Sequence, residues 1–377
     1  MYYFDHSATT KPHKEVLETF VKVNEEFYAN PASIHELGVE ANTLLSRARK
    51  QIADMLGTDE TRVIFTSGGT ESNHFAIHGL AKNLQARGKH IITSSIEHPS
   101  VLESLKQLEL QGFEIEVLPV NEKGLISVED VKSCLRKDTI MVSIMHINNE
   151  LGSIQPIKDL ANIIHQNSRA VFHVDAIQSF GKYPVSFSSL GVDVLTLSAH
   201  KFNGLKGSGI VAWKDYVSFE PVIVGGGQEF GLRSGTVPVA QAVSFAKAMR
   251  LTFENQSVML SKYVEWNEKI RSFLQGYRNV RILSSNQAAA HILTISVRNL
   301  KGEILVNALQ TRGIIVSTSS ACSSKQTKTS HVIKSIGLSD DYIRGVIRIS
   351  FGTSNTDQQI EHFIENFSTI MKQVKGE

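Results

Sequence analysis

Cysteine is scarce in this sequence, and neither a strong net charge nor a long apolar run is present. The 377 residues include two cysteines, Cys134 and Cys322, which lie far apart. A disulfide framework is therefore not supported, and a reducing cytoplasm is the expected compartment. With 39 basic and 37 acidic residues the net charge is +2, which favours neither a nucleic-acid nor a membrane partner. No stretch approaches the roughly eighteen apolar residues of a membrane helix, and the first residues do not resemble a signal peptide.

From residue 63 onward the sequence shows a regular alternation of short apolar runs and helical patterns. Strands are predicted at 63–65, 90–93, 115–118, 140–144, 171–174, 194–198 and 210–213, with helices between most of them. This alternation is typical of an α/β fold with a mostly parallel, doubly wound sheet. In such a sheet ligands bind beyond the carboxyl ends of the strands.

The pattern changes after residue 215. A glycine-rich loop over 225–236 precedes one long helical stretch that reaches about Leu274. Beyond it, strands at 292–297, 314–317 and 346–351 alternate with helices at 302–312, 329–336 and 356–373. We therefore predict a large domain of residues 13–255 and a smaller α+β domain of residues 1–12 and 256–377.

Lys201 ends the apolar run that begins at Val194, in a corner that several glycines follow. A partly desolvated lysine amine has a lowered pKa and becomes available for Schiff-base chemistry with a carbonyl group. Taken alone, the same lysine could equally be an exposed charge that leaves an edge strand.

Other polar residues also follow predicted strands. Gly68-Gly69-Thr70 opens a helix, where backbone N–H groups and a hydroxyl can bind phosphate, although an ordinary glycine turn has the same sequence. Asp175 could pair with a protonated ring nitrogen or simply cap a helix. Asn149 could bind a ring hydroxyl, and His98 could stack on a planar ring or serve as a capping or core histidine.

Considered jointly, these groups match one cofactor, pyridoxal 5'-phosphate (PLP). Its phosphate needs a helix N-terminus, its pyridine nitrogen needs a carboxylate, and its aldehyde needs a lysine. Turns and caps would explain each motif separately, but they would not explain why the set matches one cofactor. No metal site is predicted.

Eight short motifs follow one another along the chain: Phe4–Thr10, Asn30–Ser33, Thr66–Asn73, Glu97–His98, Asn148–Glu150, His173–Gln178, Ser198–Lys201 and Arg233–Thr236. In this order they resemble the class V aminotransferase family, and more narrowly its NifS-like cysteine desulfurases. The resemblance spans about residues 4–352 and implies a homodimeric PLP-dependent transferase of fold type I.

The resemblance also implies a role for each matching residue. Lys201 would form the internal aldimine with PLP, and Asp175 would pair with the pyridinium nitrogen. His98 would stack on the ring and help to transfer protons. The residues expected to bind the ring hydroxyl are Gln178 and Asn149, and those expected to hold the phosphate are Gly69, Thr70, Ser198 and His200. Thr236 would reach the phosphate from the other subunit.

Cys322 lies in a small, polar, serine-rich segment with Lys325 and Lys328 close behind, a setting that favours the thiolate. Without the PLP motifs, a free loop cysteine would explain it. In the desulfurases such a cysteine attacks the substrate sulfur, which leaves alanine and an enzyme persulfide. Cys134 falls within a helical pattern and is expected to be structural.

Arg348 matches the family arginine that binds the substrate carboxylate, a task suited to a bidentate guanidinium, and Asn30 would assist it. Two residues depart from the family pattern: Thr318 stands where a glycine is usual, and Thr329 where a proline is usual. Both residues flank the Cys322 segment. They put in doubt how that segment moves, and therefore also the rate of the reaction and the choice of sulfur acceptor. The spacing from Cys322 to His331 is that of the long-loop subgroup.

The sequence thus predicts a cysteine desulfurase that converts L-cysteine to L-alanine. Its persulfide sulfur would pass to an acceptor protein for iron–sulfur assembly, tRNA thiolation or thiocofactor synthesis. The second hypothesis is another class V reaction, such as that of an aminotransferase or a selenocysteine lyase. The third hypothesis is a non-catalytic sulfur carrier or scaffold.

Overall fold

The computed structural model describes residues 1–318 and 329–375. The strands are β1 (Tyr2–Tyr3), β2 (Val63–Thr66), β3 (His90–Ser94), β4 (Glu114–Leu118), β5 (Thr139–Met145), β6 (Val171–Asp175), β7 (Val194–Ser198), β8 (Gly209–Trp213), β9 (Val280–Ile282), β10 (Ile292–Val297), β11 (Ile314–Ile315) and β12 (Val346–Ser350). The helices are α1 (Lys14–Glu26), α2 (Glu36–Leu56), α3 (Gly69–Leu84), α4 (Pro99–Glu109), α5 (Val128–Cys134), α6 (Ile157–Asn167), α7 (Phe187–Leu190), α8 (Val239–Glu254), α9 (Gln256–Leu274), α10 (Gly302–Gln310), α11 (His331–Ser335), α12 (Asp340–Ile343) and α13 (Asp357–Lys375).

Seven strands form the central sheet, in the order β2-β8-β7-β6-β5-β3-β4. The neighbours from β4 to β7 pair in parallel, and β8 runs antiparallel to both β7 and β2. Strands β5, β6 and β7 are buried along their whole length, as expected for parallel strands that helices cover on both faces. The predicted α/β class with a mostly parallel sheet is confirmed.

A second, antiparallel sheet has the order β12-β10-β9, and β1 pairs in parallel with β11. Phe4, Trp266 and Phe363 lie in the apolar core that packs against these strands. The segment after β1 is tied to β12, because Ser350 donates its N–H to the Phe4 carbonyl at 2.7 Å. Residues near the start of the sequence therefore pack beside residues near position 350. The domain boundaries at residues 12 and 255 stay predictions.

Two predicted elements differ from the observed ones. The single long helical stretch to Leu274 is two helices, α8 and α9, which meet at Asn255. The Asn255 side chain donates to the Leu251 carbonyl at 2.9 Å, at the end of the first helix. It thereby competes with backbone N–H groups for that carbonyl oxygen. The predicted strand over 314–317 is shorter, because Ser317 leaves β11 and exchanges backbone hydrogen bonds with Arg348.

Within residues 1–318 and 329–375, none of the helices combines the length and the apolar character that crossing a membrane requires.

Candidate active site

The carboxyl ends of parallel strands bring the candidate residues to one edge of the central sheet. His98 follows β3, Asn149 follows β5, Asp175 ends β6, and Ser198 and Lys201 lie at the end of β7. This edge is where open α/β sheets bind their ligands.

Asp175 is buried at this edge and is held by hydrogen bonds on both oxygens. Its Oδ1 accepts the Ile177 N–H at 2.9 Å, and its Oδ2 accepts from Asn73 Nδ2 at 2.8 Å. Burial raises the pKa of Asp175, whereas the two hydrogen bonds and the nearby charges of His98 and Lys201 act in the opposite direction. A cationic group that approaches Asp175 would therefore find a carboxyl group whose two oxygens are already oriented.

His98 caps the N-terminus of α4, and its ring orientation is fixed by Ser100. The Ser100 N–H donates to His98 Nδ1 at 3.1 Å, so Nδ1 is unprotonated and the neutral ring carries its proton on Nε2. The Ser100 hydroxyl then donates to the same Nδ1 at 2.9 Å. Burial lowers the pKa of His98, which favours this neutral form.

Lys201 is the last residue of a 3₁₀ turn after β7 and meets the segment Asp5–Thr10. Its Nζ donates to the Ser7 carbonyl at 2.6 Å and to the Ala8 carbonyl at 2.8 Å. The buried Lys182 donates from its Nζ to the carbonyl oxygen of Lys201. The pKa of Lys182 is lowered to about 7, first by burial and then by the charge of Lys201. The turn that presents Lys201 is thus held from two sides.

Gln178 and the two consecutive asparagines after β5 have different environments. Gln178 is buried and donates to the Ser7 carbonyl at 2.8 Å. The Asn148 side chain is already engaged with the backbone, since it donates to the Ile96 carbonyl and accepts two backbone N–H groups. Asn149 is only half-buried. Of the two asparagines, Asn149 therefore has the side chain better exposed to a ligand.

The turn before α3 has the geometry of an anion-binding site. Gly68 has φ +147°, which side-chain-bearing residues rarely adopt, and a Cβ on Gly69 would lie 2.4 Å from Ile177 Cδ1. Thr70 is exposed on the first turn of the helix, and Ser198 lies close to this turn. The N-terminal N–H groups of α3 make this place suitable for a phosphate group.

His200 lies beside the same edge and bonds to the segment Asp5–Thr10 through Nδ1, 3.1 Å from the Thr9 hydroxyl. Its pKa is lowered to about 3, mainly by burial and further by the charges of Lys201 and Lys182. His200 would therefore contact a phosphate as a neutral hydrogen-bonding group rather than as a cation.

Thr236 is exposed at the end of the glycine-rich loop. Two ion pairs anchor that loop. Arg233 Nε lies 2.8 Å from Glu71 Oε1 on the first turn of α3, and Arg49 Nη1 lies 2.8 Å from Glu229 Oε2. The loop thus holds Thr236 on the surface of its own chain.

Arg348 is buried in β12 and reaches groups from two other parts of the chain. Its Nη1 donates to the Asn149 carbonyl at 2.9 Å, and its Nη2 donates to Asp5 Oδ1 at 2.8 Å. Asn30 is exposed and lines a different cavity, of about 190 Å³, beside Arg49 and Phe230. The contacts described within the chain do not bring Asn30 to Arg348.

Cys322 lies outside the described residues, so its predicted role stays a prediction. Thr318 and Thr329, the two departures from the family pattern, stand at the borders of that segment, and both are half-buried. Cys134 ends α5 and packs against the main apolar core, as expected of a structural cysteine. Among the described residues no group of three or more potential ligands forms a metal site.

Several contacts of the site carried no clear signal in the sequence. The Ser7 and Ala8 carbonyls are backbone atoms, so no side-chain pattern marks them as partners of Lys201. Asn73 is the last residue of the motif Thr66–Asn73, and its position three residues after Thr70 places it near the same helix face. That spacing could have indicated that Asn73 points toward the site.

Several known proteins are similar to this chain over nearly its whole length. The family model described as aminotransferase class-V matches residues 2–363. A "NifS/IcsS protein homolog" from Lactobacillus delbrueckii subsp. bulgaricus is 42% identical over 374 residues, which cover 98% of this chain and 97% of that protein. A "Cysteine desulfurase IscS" from Methanosarcina thermophila is 38% identical, covering 99% of this chain and 93% of that protein. A solved structure titled "NIFS-LIKE PROTEIN" superposes with a TM-score of 0.93 at 36% identity, covering 98% of this chain and 99% of that one.

Proposed function

The chain belongs to the class V aminotransferase family, and from this premise we propose that it is a PLP-dependent cysteine desulfurase acting on L-cysteine. The observation that carries the proposal is the cluster of Lys201, Asp175 and His98 at one sheet edge, in a chain similar throughout to proteins named cysteine desulfurase. The family depends on PLP.

The residues present fit this cofactor. Asp175 is a buried carboxylate suited to a pyridinium nitrogen, and Lys201 is a lysine amine held at the end of β7. The turn at Gly68–Thr70 leaves N–H groups and a hydroxyl for the phosphate, and Ser198 and His200 lie at the same edge. When bound, PLP supplies an electron sink for reactions at the substrate carbons.

Each side chain then has a distinct task. Lys201 would bind the cofactor aldehyde covalently and otherwise rest against the Ser7 and Ala8 carbonyls. His98, neutral and with its proton on Nε2, would stack on the ring and transfer protons. The groups proposed to bind the ring hydroxyl are Gln178 and Asn149. Arg348 would bind the carboxylate of L-cysteine, with Asn30 as a further candidate.

The sulfur step is assigned to Cys322. Its thiolate would attack the sulfur of L-cysteine, so that a new S–S bond forms while the bond from Cβ to sulfur breaks. The electron pair stays on the carbon, which takes up a proton and becomes the methyl group of alanine. The persulfide on Cys322 would then pass sulfur to a protein that assembles iron–sulfur clusters, thiolates tRNA or makes thiocofactors, in the cytoplasm.

We propose a homodimer as the active form, with Thr236 contacting the phosphate in the partner subunit. Thr236 is exposed on its own chain. Apolar side chains near its loop and near Asn30 are also exposed, as a buried interface would require: Tyr28 is 73% exposed, Ile34 98%, Val224 79% and Phe230 52%.

The decisive experiment supplies the purified protein with L-cysteine and a reductant and measures sulfide and alanine. The proposal requires equal amounts of both. The variant Cys322→Ser should release no sulfide while its bound cofactor keeps the wild-type absorbance, and Cys134→Ser is the matched control that should keep its activity. If Cys322→Ser retains full activity, another class V reaction is favoured instead. If neither product forms in a protein that binds PLP, the carrier or scaffold reading gains support.

A further inference from the structure

Asn73 has no role in the proposed function, yet its side chain lies at the centre of the polar network of the site. It is completely buried on α3. Its Nδ2 donates to Asp175 Oδ2 at 2.8 Å and to Ser100 Oγ at 2.9 Å, and its Oδ1 accepts from Thr196 Oγ1 at 2.6 Å. One amide therefore joins α3 to α4, β6 and β7.

The direction of these bonds is fixed by chemistry. An amide group has two N–H donors and one oxygen acceptor, and a carboxylate can only accept. The Nδ2 of Asn73 must therefore face Asp175, because the reversed amide would turn its oxygen toward a carboxylate oxygen. Its second N–H then reaches Ser100, and Thr196 supplies the remaining donor.

The bond to Ser100 extends the network to His98. The Ser100 hydroxyl accepts from Asn73 and so directs its own hydrogen to His98 Nδ1, which also accepts the Ser100 N–H. This order of donors leaves the proton of the neutral imidazole on Nε2. The amide of Asn73 thus acts on the carboxylate and on the imidazole at the same time.

We propose that Asn73 is a positioning residue that orients Asp175 and, through Ser100, fixes the ring of His98. The inference rests on the proposed function, which assigns Asp175 and His98 to the cofactor.

The electrostatics of Asp175 agree with this role. Burial raises the pKa of Asp175, and the hydrogen bond from Asn73 is one of the interactions that favour its ionised form. The charged or titratable groups that interact electrostatically with this carboxyl are His98, Lys201 and Glu97. Loss of the Asn73 donor would leave one oxygen of a buried carboxylate without the partner seen here, so that the carboxyl holds a proton more readily.

The test compares Asn73→Ala with Thr196→Val, a control that removes the third bond of the amide, together with the 3.3 Å contact of Thr196 Oγ1 with His173 Nε2, and keeps the bonds to Asp175 and Ser100. The readout is the ¹⁵N NMR signal of bound PLP labelled at its ring nitrogen, which reports protonation of that nitrogen. For Asn73→Ala we expect a shift toward the unprotonated signal and a loss of kcat/KM of roughly 10- to 100-fold, the effect of one hydrogen bond to a charged group. Thr196→Val should keep both values.

The variant Ser100→Ala separates the two branches of the network. It should keep the wild-type ring-nitrogen signal but lower kcat, because the hydroxyl bonds to His98 and to Asn73 are lost while the bond from Asn73 to Asp175 stays. If Asn73→Ala does not fold, Asn73→Ser replaces it, since the short hydroxyl cannot bridge Asp175 and Ser100 together.

A wild-type ring-nitrogen signal in the Asn73 variant, or an equal change in Thr196→Val, would overturn the inference. A wild-type protein that binds PLP but forms no alanine would instead refute the proposed function and leave the ring-nitrogen comparison valid.

Discussion

Two buried arginines in this molecule pair with carboxylates in very different surroundings. Arg49 binds both oxygens of Glu229 at 2.8 Å and lies over the rings of Phe65 and Phe230, at 4.9 and 5.0 Å from their centroids. Arg348 uses one terminal nitrogen for Asp5 and the other for the Asn149 carbonyl. The first pair is a bidentate pair held between aromatic rings, whereas the second spans three separate parts of the chain at the active-site edge.

The difference indicates that residue type and burial do not by themselves define a role. The pair with Glu229 fastens the glycine-rich loop to α2 and β2, and Glu229 also accepts the Phe65 N–H at 2.8 Å. The pair holds two residues in left-handed conformations, Glu229 at φ 49° and Phe230 at φ 59°, each of which costs roughly 1–3 kcal/mol. We therefore expect Arg49 to serve stability, and binding of the substrate carboxylate by Arg348 stays a proposal.

The largest expected effect is on stability, from Arg49→Met. Removal of one partner leaves Glu229 as a buried, uncompensated carboxylate, which costs about 3–5 kcal/mol of unfolding free energy. Urea unfolding of the holoenzyme measures this loss. The double variant Arg49→Met with Glu229→Met is the control and should lose less, because no charge stays buried. Equal losses in the two variants would contradict the structural assignment of Arg49.

Arg348→Met should chiefly affect catalysis. Hydrogen bonds to a charged group contribute about 1.5–3 kcal/mol each, so kcat/KM for L-cysteine should fall roughly 10- to 100-fold, mainly through KM. Alanine formation at varied cysteine concentration measures the effect. Arg348→Lys keeps the charge but not the planar fork and should give an intermediate KM. If Arg348→Met keeps the wild-type KM while its stability falls, the role of Arg348 is structural, through its ion pair with Asp5, and not substrate binding.

Glu97 extends the comparison to a buried carboxyl whose hydrogen-bond partners are neutral. It accepts from Ser94 Oγ at 2.5 Å and from the Met145 N–H at 3.0 Å. Burial raises the pKa of Glu97 from 4.5 to about 8, so the folded protein keeps a proton that the unfolded chain releases. The stability from Glu97 is complete below pH 4.5 and is lost as the pH rises toward 8.

Glu97→Gln mimics the protonated carboxyl and removes this dependence. Relative to the variant, the wild type should lose about 1.4 kcal/mol per pH unit within that window, measured by urea unfolding at several pH values from about 4 to about 8. The two proteins should be equally stable near the acidic end. Parallel stability curves across the whole range would show that Glu97 ionises normally in the fold.

The central sheet and the positions of Lys201, Asp175 and His98 could be predicted because short apolar runs mark strands and the polar residue after each run marks its end. The hydrogen-bond partners of Lys201 could not be predicted, since Ser7 and Ala8 contribute only backbone carbonyl groups. The break at Asn255 leaves no mark in the sequence, because the helical pattern continues across it; the Asn255 side chain donates to the Leu251 carbonyl where the first helix ends. The network of Asn73 depends on the packing of α3 against the sheet, which sequence spacing describes only in part.

The segment Asp5–Thr10 has a consequence for how the protein matures. Ser7 and Lys201 are 194 residues apart, and Asp5 and Arg348 are 343 residues apart, yet each pair is in direct contact. Contacts between such distant positions form slowly, because closing long loops costs entropy before the contact can stabilise the fold. During synthesis the early segment must wait until residues near 350 have left the ribosome. The active site is therefore completed late, and cofactor loading is expected to follow translation rather than accompany it.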